Sequence, residues 1–151
     1  MKTVKVYRST AYVPIPSLAH TGSYPDIGYD LYSTEYKLIQ PGEVALVSTG
    51  IRIELPKATR NWVWEAEIRP RSGLRKLNII VSHGTIDSGY RGDLGALVHN
   101  YSTDPYAIYP ADKIAQLIIS KKPRVKLKEV KEGKQLSKTA RGSNGFGSTG
   151  R

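Results

Sequence analysis

Two stretches of this 151-residue chain carry residue types whose spacing could do chemistry. The first is Gly84-Thr85-Ile86-Asp87-Ser88-Gly89-Tyr90-Arg91-Gly92-Asp93, followed by Leu94-Gly95-Ala96-Leu97-Val98-His99-Asn100. Strand-forming residues on both sides of a Gly-containing turn predict a β-hairpin whose tip carries one carboxylate, Asp87, and one phenol, Tyr90. Taken alone the pattern is ambiguous, because Asp and Gly in a turn commonly serve only the turn. The second stretch is residues 141–151, where Phe146, the only phenylalanine, stands between glycines. An aromatic on a Gly-rich arm, with Arg141 before it and Ser148 and Thr149 after it, suits a lid that stacks on a ring and wraps phosphates. A disordered solubilising tail would have the same composition.

Composition narrows the chemistry further. The absence of cysteine excludes disulfides, thiolate metal sites and a thiol nucleophile. His20, His83 and His99 lack metal-ligand spacing, so no zinc site is expected. A formal net charge of +10 favours polyanions, either nucleic acid or a smaller phosphorylated ligand. Much of that excess comes late, where Lys121, Lys122, Arg124, Lys126, Lys128, Lys131, Lys134, Lys138, Arg141 and Arg151 face only Glu129 and Glu132. A solvated basic face explains most of these lysines. The length fits one domain, and 39% hydrophobic residues supply a modest core. No apolar run approaches the roughly 20 residues of a membrane span, and Lys2, Lys5 and Arg8 interrupt any signal-peptide core. A soluble, intracellular protein of cytoplasm or nucleus, with no membrane partner, is the expectation.

The elements that must position these residues read as strands. Val4, Val6 and Tyr7 form a short strand-like segment, and Pro14, Pro16 and residues 22–25 break the chain into loop. Asp26-Ile27-Gly28-Tyr29-Asp30-Leu31-Tyr32 begins the next ordered piece. Residues 36–39 lead through Pro41-Gly42 to Val44-Ala45-Leu46-Val47, and Ile51, Ile53 and Leu55 alternate with Arg52 and Glu54. Trp62, Trp64, Ala66 and Ile68 share one strand face, with Val63, Glu65 and Glu67 on the other. Residues 77–82 continue the pattern. Ile114-Ala115-Gln116-Leu117-Ile118-Ile119 reads as a strand covered on both faces, and Val125, Leu127 and Val130 alternate with charged residues as another strand would. With no sustained helical period, the predicted class is all-β, a sandwich or jelly roll. Residues 1–132 form the expected domain, and residues 133–151 an arm too polar to order by itself.

Five stretches in order resemble the trimeric dUTPase family: Gly28-Tyr29-Asp30-Leu31-Tyr32, Pro70-Arg71-Ser72-Gly73-Leu74, the run from Gly84 to Gly92, Asp112-Lys113-Ile114-Ala115-Gln116-Leu117, and Arg141-Gly142-Ser143-Asn144-Gly145-Phe146-Gly147-Ser148-Thr149-Gly150. The resemblance spans residues 28–150. It implies a jelly-roll subunit, a homotrimer with active sites shared between subunits, and hydrolysis of dUTP to dUMP and pyrophosphate, which limits uracil in DNA and supplies dUMP.

The roles it implies make physical sense. Asp87 would polarise a water for in-line attack on the α-phosphate. Main-chain groups near Gly84, Ile86 and Gly95 would read uracil and leave no room for a C5 methyl, while Tyr90 would pack under the deoxyribose. Arg71, Ser72 and Gly73 would form a phosphate-binding turn. Asp30, with Gln116, would orient water around a Mg²⁺ that the triphosphate itself chelates. On the arm, Phe146 would stack on uracil, while Arg141, Gly147, Ser148 and Thr149 would reach the terminal phosphates. Asp112 reads as a turn or ion-pair residue.

The chain departs from the family pattern at Gly89, where many members carry an acidic residue, at Ile27 in place of alanine, and at Arg75-Lys76 after Leu74. A dCTP deaminase shares the fold, but its catalytic glutamate would fall at Leu97, which cannot shuttle protons. A nucleic-acid-binding module, suggested by charge and tyrosines, would not require Asp87. Nucleic acid is therefore not a required partner.

Overall fold

Alternating apolar and polar side chains become two-faced strands, and this pattern accounts for most of the architecture. The structure, a computed structural model, describes residues 2–144. The elements in order are β1 (Lys5–Arg8), β2 (Tyr29–Tyr32), β3 (Lys37–Ile39), β4 (Val44–Ser48), β5 (Ile51–Glu54), β6 (Trp62–Arg69), α1 (Ser72–Arg75), β7 (Ile79–Val81), β8 (Gly84–Ile86), β9 (Gly95–Asn100), β10 (Tyr106–Ile108) and β11 (Lys113–Pro123). A 3₁₀ turn follows at Gly133–Gln135. The one α-element is a single turn, so the protein is all-β as predicted.

The strands make two larger sheets, ordered β2-β11-β6-β8 and β4-β9-β7, and two ribbons, β1-β5 and β10-β3. Every named strand pairing is antiparallel. Inward residues of all four meet in one core that includes Leu31, Ile39, Val47, Ile51, Ile68, Val81, Val98, Ile108 and Leu117. On β4, Ala45 and Val47 are buried while Val44 and Leu46 are exposed, and β9 buries Ala96, Val98 and Asn100. The buried Asn100 is fully engaged: its Nδ2 donates to the carbonyls of Ile39 (2.9 Å) and Asp104 (2.8 Å), and its Oδ1 accepts from Ser102. Its hydrogen bonds offset the cost of burying an amide and tie β9 to β3.

Two expectations need correction. Residues 84–100 do not form a paired hairpin. The strand β8 pairs with β6, whereas β9 pairs with β4 along Gly95–His99 and with β7 at Val98–Asn100, so β8 and β9 belong to different sheets. Residues 87–94 therefore cross from one sheet to another. The strand expected around Val125, Leu127 and Val130 is absent among the described residues; β11 ends at Pro123, and Val125 and Leu127 are 77% and 91% exposed. With no strand of this chain to pair with, alternation alone does not make a strand. Trp62 shares a face with Trp64 but is 41% exposed, with Lys121 Nζ 4.3 Å above its ring.

Candidate active site

The sheet-to-sheet crossing creates a cavity. It has a volume of about 460 Å³ and is lined by Glu35, Leu46, Ser48, Thr85, Ile86, Asp87, Tyr90, Asp93 and Gly95. Asp87, Ile86, Tyr90 and Gly95 are thus brought together as expected from the sequence. Gly84 stands at the other end of β8, opposite Ile68.

The crossing is held by its own hydrogen bonds. Tyr90 N–H donates to the Asp87 carbonyl (3.0 Å), and the Tyr90 hydroxyl donates to the Asp93 carbonyl (3.0 Å). The Tyr90 ring therefore lies over Gly92, where a Cβ would come within 2.3 Å of the hydroxyl oxygen, so a side chain there would push the Tyr90 ring aside. At Gly95 a Cβ would stand 2.7 Å from Leu46 Cδ1. Leu46, on the outward face of β4, thus stands beside the backbone of the cavity wall. Arg91 folds back onto the Ser88 and Tyr90 carbonyls at 2.9 and 2.7 Å.

The electrostatics of the wall are one-sided. It carries three carboxylates, Glu35, Asp87 and Asp93, and neither lysine nor arginine. Glu35 Oε1 accepts the Ser48 N–H at 3.0 Å, and Asp93 Oδ2 accepts the Ser48 hydroxyl at 2.5 Å. Asp87 forms no ion pair among the described residues and is exposed.

The other expected residues lie elsewhere in the chain. Asp30, Gln116 and Arg69 form a cross-strand row over β2, β11 and β6. Asp30 is 3% exposed; Arg71 donates to its Oδ1 at 2.6 Å and Lys113 Nζ lies 2.9 Å from its Oδ2. The bond to Asp30, assisted by attraction to that carboxylate, holds the Lys113 ammonium above its ordinary pKa. Ser72 and Gly73 are exposed in the α1 turn. Gln116 packs on Gly28, where a Cβ would come within 3.0 Å of its Cδ. None of Asp30, Arg71, Ser72, Gly73 and Gln116 lines the cavity. Asp112 is a turn residue, its Oδ2 accepting the Tyr109 N–H at 2.8 Å. Exposed Arg141 donates to the Asn144 carbonyl at 2.9 Å. Phe146, Gly147, Ser148 and Thr149 lie outside the described residues.

A protein-held magnesium does not fit this arrangement. Each Asp30 oxygen is already taken by a cation, and among the described residues no group of three acidic or imidazole ligands converges. Sequence reasoning gave no role to Glu35, Leu46, Ser48 or Asp93. The first three stand 36 or more residues before Gly84 in the sequence; the β4–β9 ladder, which sets Ser48 opposite Gly95 and Leu46 opposite Leu97, brings two of them to the crossing, and Glu35 joins through the Ser48 N–H.

Comparison with known proteins accords with the geometry. The model of the dUTPase family matches residues 13–150. The chain belongs to the dUTPase family. It is 43% identical over 153 aligned positions to a deoxyuridine 5'-triphosphate nucleotidohydrolase of Alkaliphilus metalliredigens, covering 99% of each chain. It is 44% identical to the enzyme of the same name from Clostridium tetani, over 99% of this chain and 97% of that one. Among solved structures, a variant dUTPase of Staphylococcus bacteriophage 80alpha with dUpNHpp superposes with a TM-score of 0.86 at 25% identity, covering all of both chains. A dUTPase variant of phage phi11 of S. aureus, described with a structural Mg(II) ion, superposes with a TM-score of 0.76 at 25% identity, over 87% of this chain and 98% of that one. At Leu97, where a deaminase would need its glutamate, this dUTPase-family chain has an apolar residue paired across the ladder with Leu46.

Proposed function

We propose that this chain hydrolyses dUTP to dUMP and pyrophosphate, with the base and sugar in the cavity between β8 and β9 and Asp87 as general base. The observation that carries this reading is the cavity wall: Ile86, Asp87, Tyr90 and Gly95 meet around one space that holds three carboxylates and no cation. Such a wall repels a triphosphate and accepts an uncharged base and sugar, so the phosphates stay toward solvent beside Asp87.

Main-chain groups of Gly84, Ile86 and Gly95 pair with the uracil edge, and the close wall at Gly95 rejects a C5 methyl. Tyr90, fixed by its bond to the Asp93 carbonyl, packs against the deoxyribose. The Asp87 carboxylate accepts a proton from a water as that water's oxygen bonds to the α-phosphorus. The bond from the α-phosphorus to the bridging oxygen breaks in line, and pyrophosphate leaves with that electron pair. No covalent enzyme intermediate forms. A Mg²⁺ would be carried by the triphosphate rather than by protein ligands, and would supply charge neutralisation there.

Arg71 spends one donor on Asp30 and keeps others for phosphate, beside Ser72 and Gly73. With Gln116 and the arm residues Arg141, Phe146, Gly147, Ser148 and Thr149, they complete the site from neighbouring subunits of a homotrimer. Two observations support this: Arg71, Ser72, Gly73 and Gln116 do not line this chain's own cavity, and Val125 and Leu127 are exposed apolar side chains. In this reading residues 133–151 form the arm that closes over the nucleotide.

The test is release of pyrophosphate by the purified protein with Mg²⁺. Turnover of dUTP with little release from dCTP, dTTP or UTP is expected, and no release from dUTP at saturating Mg²⁺ overturns the proposal.

A further inference from the structure

Because β8 and β9 belong to different sheets, no ladder fixes the spacing across the cavity between them. Something else must hold residues 87–94. Four hydrogen bonds anchor this crossing to the ends of β4 and β5 and the turn between them. Leu94 N–H donates to the Ile51 carbonyl at 2.8 Å, and the Leu94 carbonyl accepts the Thr49 N–H at 3.1 Å and the Thr49 hydroxyl at 2.5 Å. The fourth is the only one of these made to a cavity-lining carboxylate: the Ser48 hydroxyl donates to Asp93 Oδ2 at 2.5 Å.

Ser48 is itself held from several sides. Its N–H donates to Glu35 Oε1 (3.0 Å), its carbonyl accepts the Thr34 N–H (3.1 Å), and its Oγ accepts the Gly50 N–H (3.2 Å). Asp93 passes that constraint on, because its carbonyl receives the Tyr90 hydroxyl. The chain of contacts thus runs from Glu35 through Ser48 and Asp93 to Tyr90, and Tyr90 N–H returns to the Asp87 carbonyl.

We infer that Ser48 and Asp93 are a positioning pair that sets the placement of Tyr90 and Asp87 in the nucleotide cavity, with Glu35 orienting Ser48. The inference rests on the reading of this cavity as the nucleotide site. A hydrogen bond from a hydroxyl to a carboxylate is charge-assisted and short, which suits a fixed spacer. The pair acts through Tyr90 and Asp87, and neither member need touch the reacting atoms.

The experiment compares Ser48→Ala, Asp93→Ala, the double variant, Asp93→Asn and Ser48→Thr. It measures dUTP turnover, urea midpoint, and amide hydrogen exchange of residues 87–94 in ligand-free protein. Each alanine variant should lower kcat/KM by about 10- to 100-fold and speed exchange at residues 88–93. The double variant should be no worse than either single variant, because both remove one contact. Asp93→Asn and Ser48→Thr keep an acceptor and a donor, and should recover most of the loss. Multiplicative losses in the double variant, unchanged exchange, or Asp93→Asn as damaging as Asp93→Ala would overturn the pair. So would losses of turnover that merely track the urea midpoint. Absence of dUTP turnover in the unaltered protein would overturn the nucleotide reading instead, while the exchange measurement still decides whether the pair holds the crossing.

Discussion

The cavity and the Asp30 cluster are both built around buried or half-buried carboxylates, and they are finished in opposite ways. Asp30 is closed off: Arg71 and Lys113 occupy both of its oxygens, and the charge is neutralised inside the chain. The cavity carboxylates have no such cations. Asp93 and Glu35 are engaged by a hydroxyl and an amide of Ser48, and Asp87 stands exposed without an ion pair among the described residues. A neutralised carboxylate joins elements together, whereas one left without a cation is available to a proton or a water. In the proposed function this difference is what separates Asp87, free to act on a water, from Asp30, which joins strands.

This contrast can be broken by substitution. The largest effect is expected at Asp87→Asn, which should reduce kcat by about 10²- to 10⁴-fold while the urea midpoint and KM change little. A near-normal kcat would remove Asp87 from the chemistry. Asp30→Asn should do the reverse in kind, by leaving two cations facing a neutral amide. A stability loss at the low end of roughly 3–5 kcal/mol is expected in denaturant unfolding, because Arg71 and Lys113 keep some solvent. If unfolding were unchanged, the cluster would not be the internal joint described here.

Gly95→Ala sharpens the cavity side. Its Cβ would meet the exposed end of Leu46 and turn that side chain aside, so a stability change within about 0.5 kcal/mol and a raised KM for dUTP are expected, with Leu46→Ala restoring KM in the double variant. No relief would mean that Leu46 is not the obstacle. The smallest effect is expected at Lys113→Met, a small fall in the urea midpoint, since the ammonium is half-exposed and its attraction to Asp30 is screened by solvent. Because Asp30 raises the Lys113 pKa, any stabilisation from the pair is fully present below the ordinary lysine range and is lost as pH rises through the elevated folded value. Unfolding curves of the two proteins should therefore converge in strong alkali and stay apart at neutral pH.

The boundary between what could and could not be read beforehand follows the range of the interactions. The period of two in Trp64, Ala66 and Ile68 is local, and it marked β6 and its buried face. The same rule failed at Val125 and Leu127, because a strand also needs a partner, and that requirement is not local. Family resemblance pointed to Asp87 and Tyr90, yet the hairpin assigned to them was the wrong local structure. What surrounds them is a crossing between sheets.

By itself, the sequence determined the all-β class, the position of most strands, and the set of residues whose chemistry suits a nucleotide. These depend on side-chain type and short spacing. Only the tertiary structure decided that Asp30 is sealed by Arg71 and Lys113, and that Ser48 and Leu46 stand against residues 93–95. Those contacts are made between residues about 41 to 83 positions apart, brought together by antiparallel ladders whose register no local pattern records.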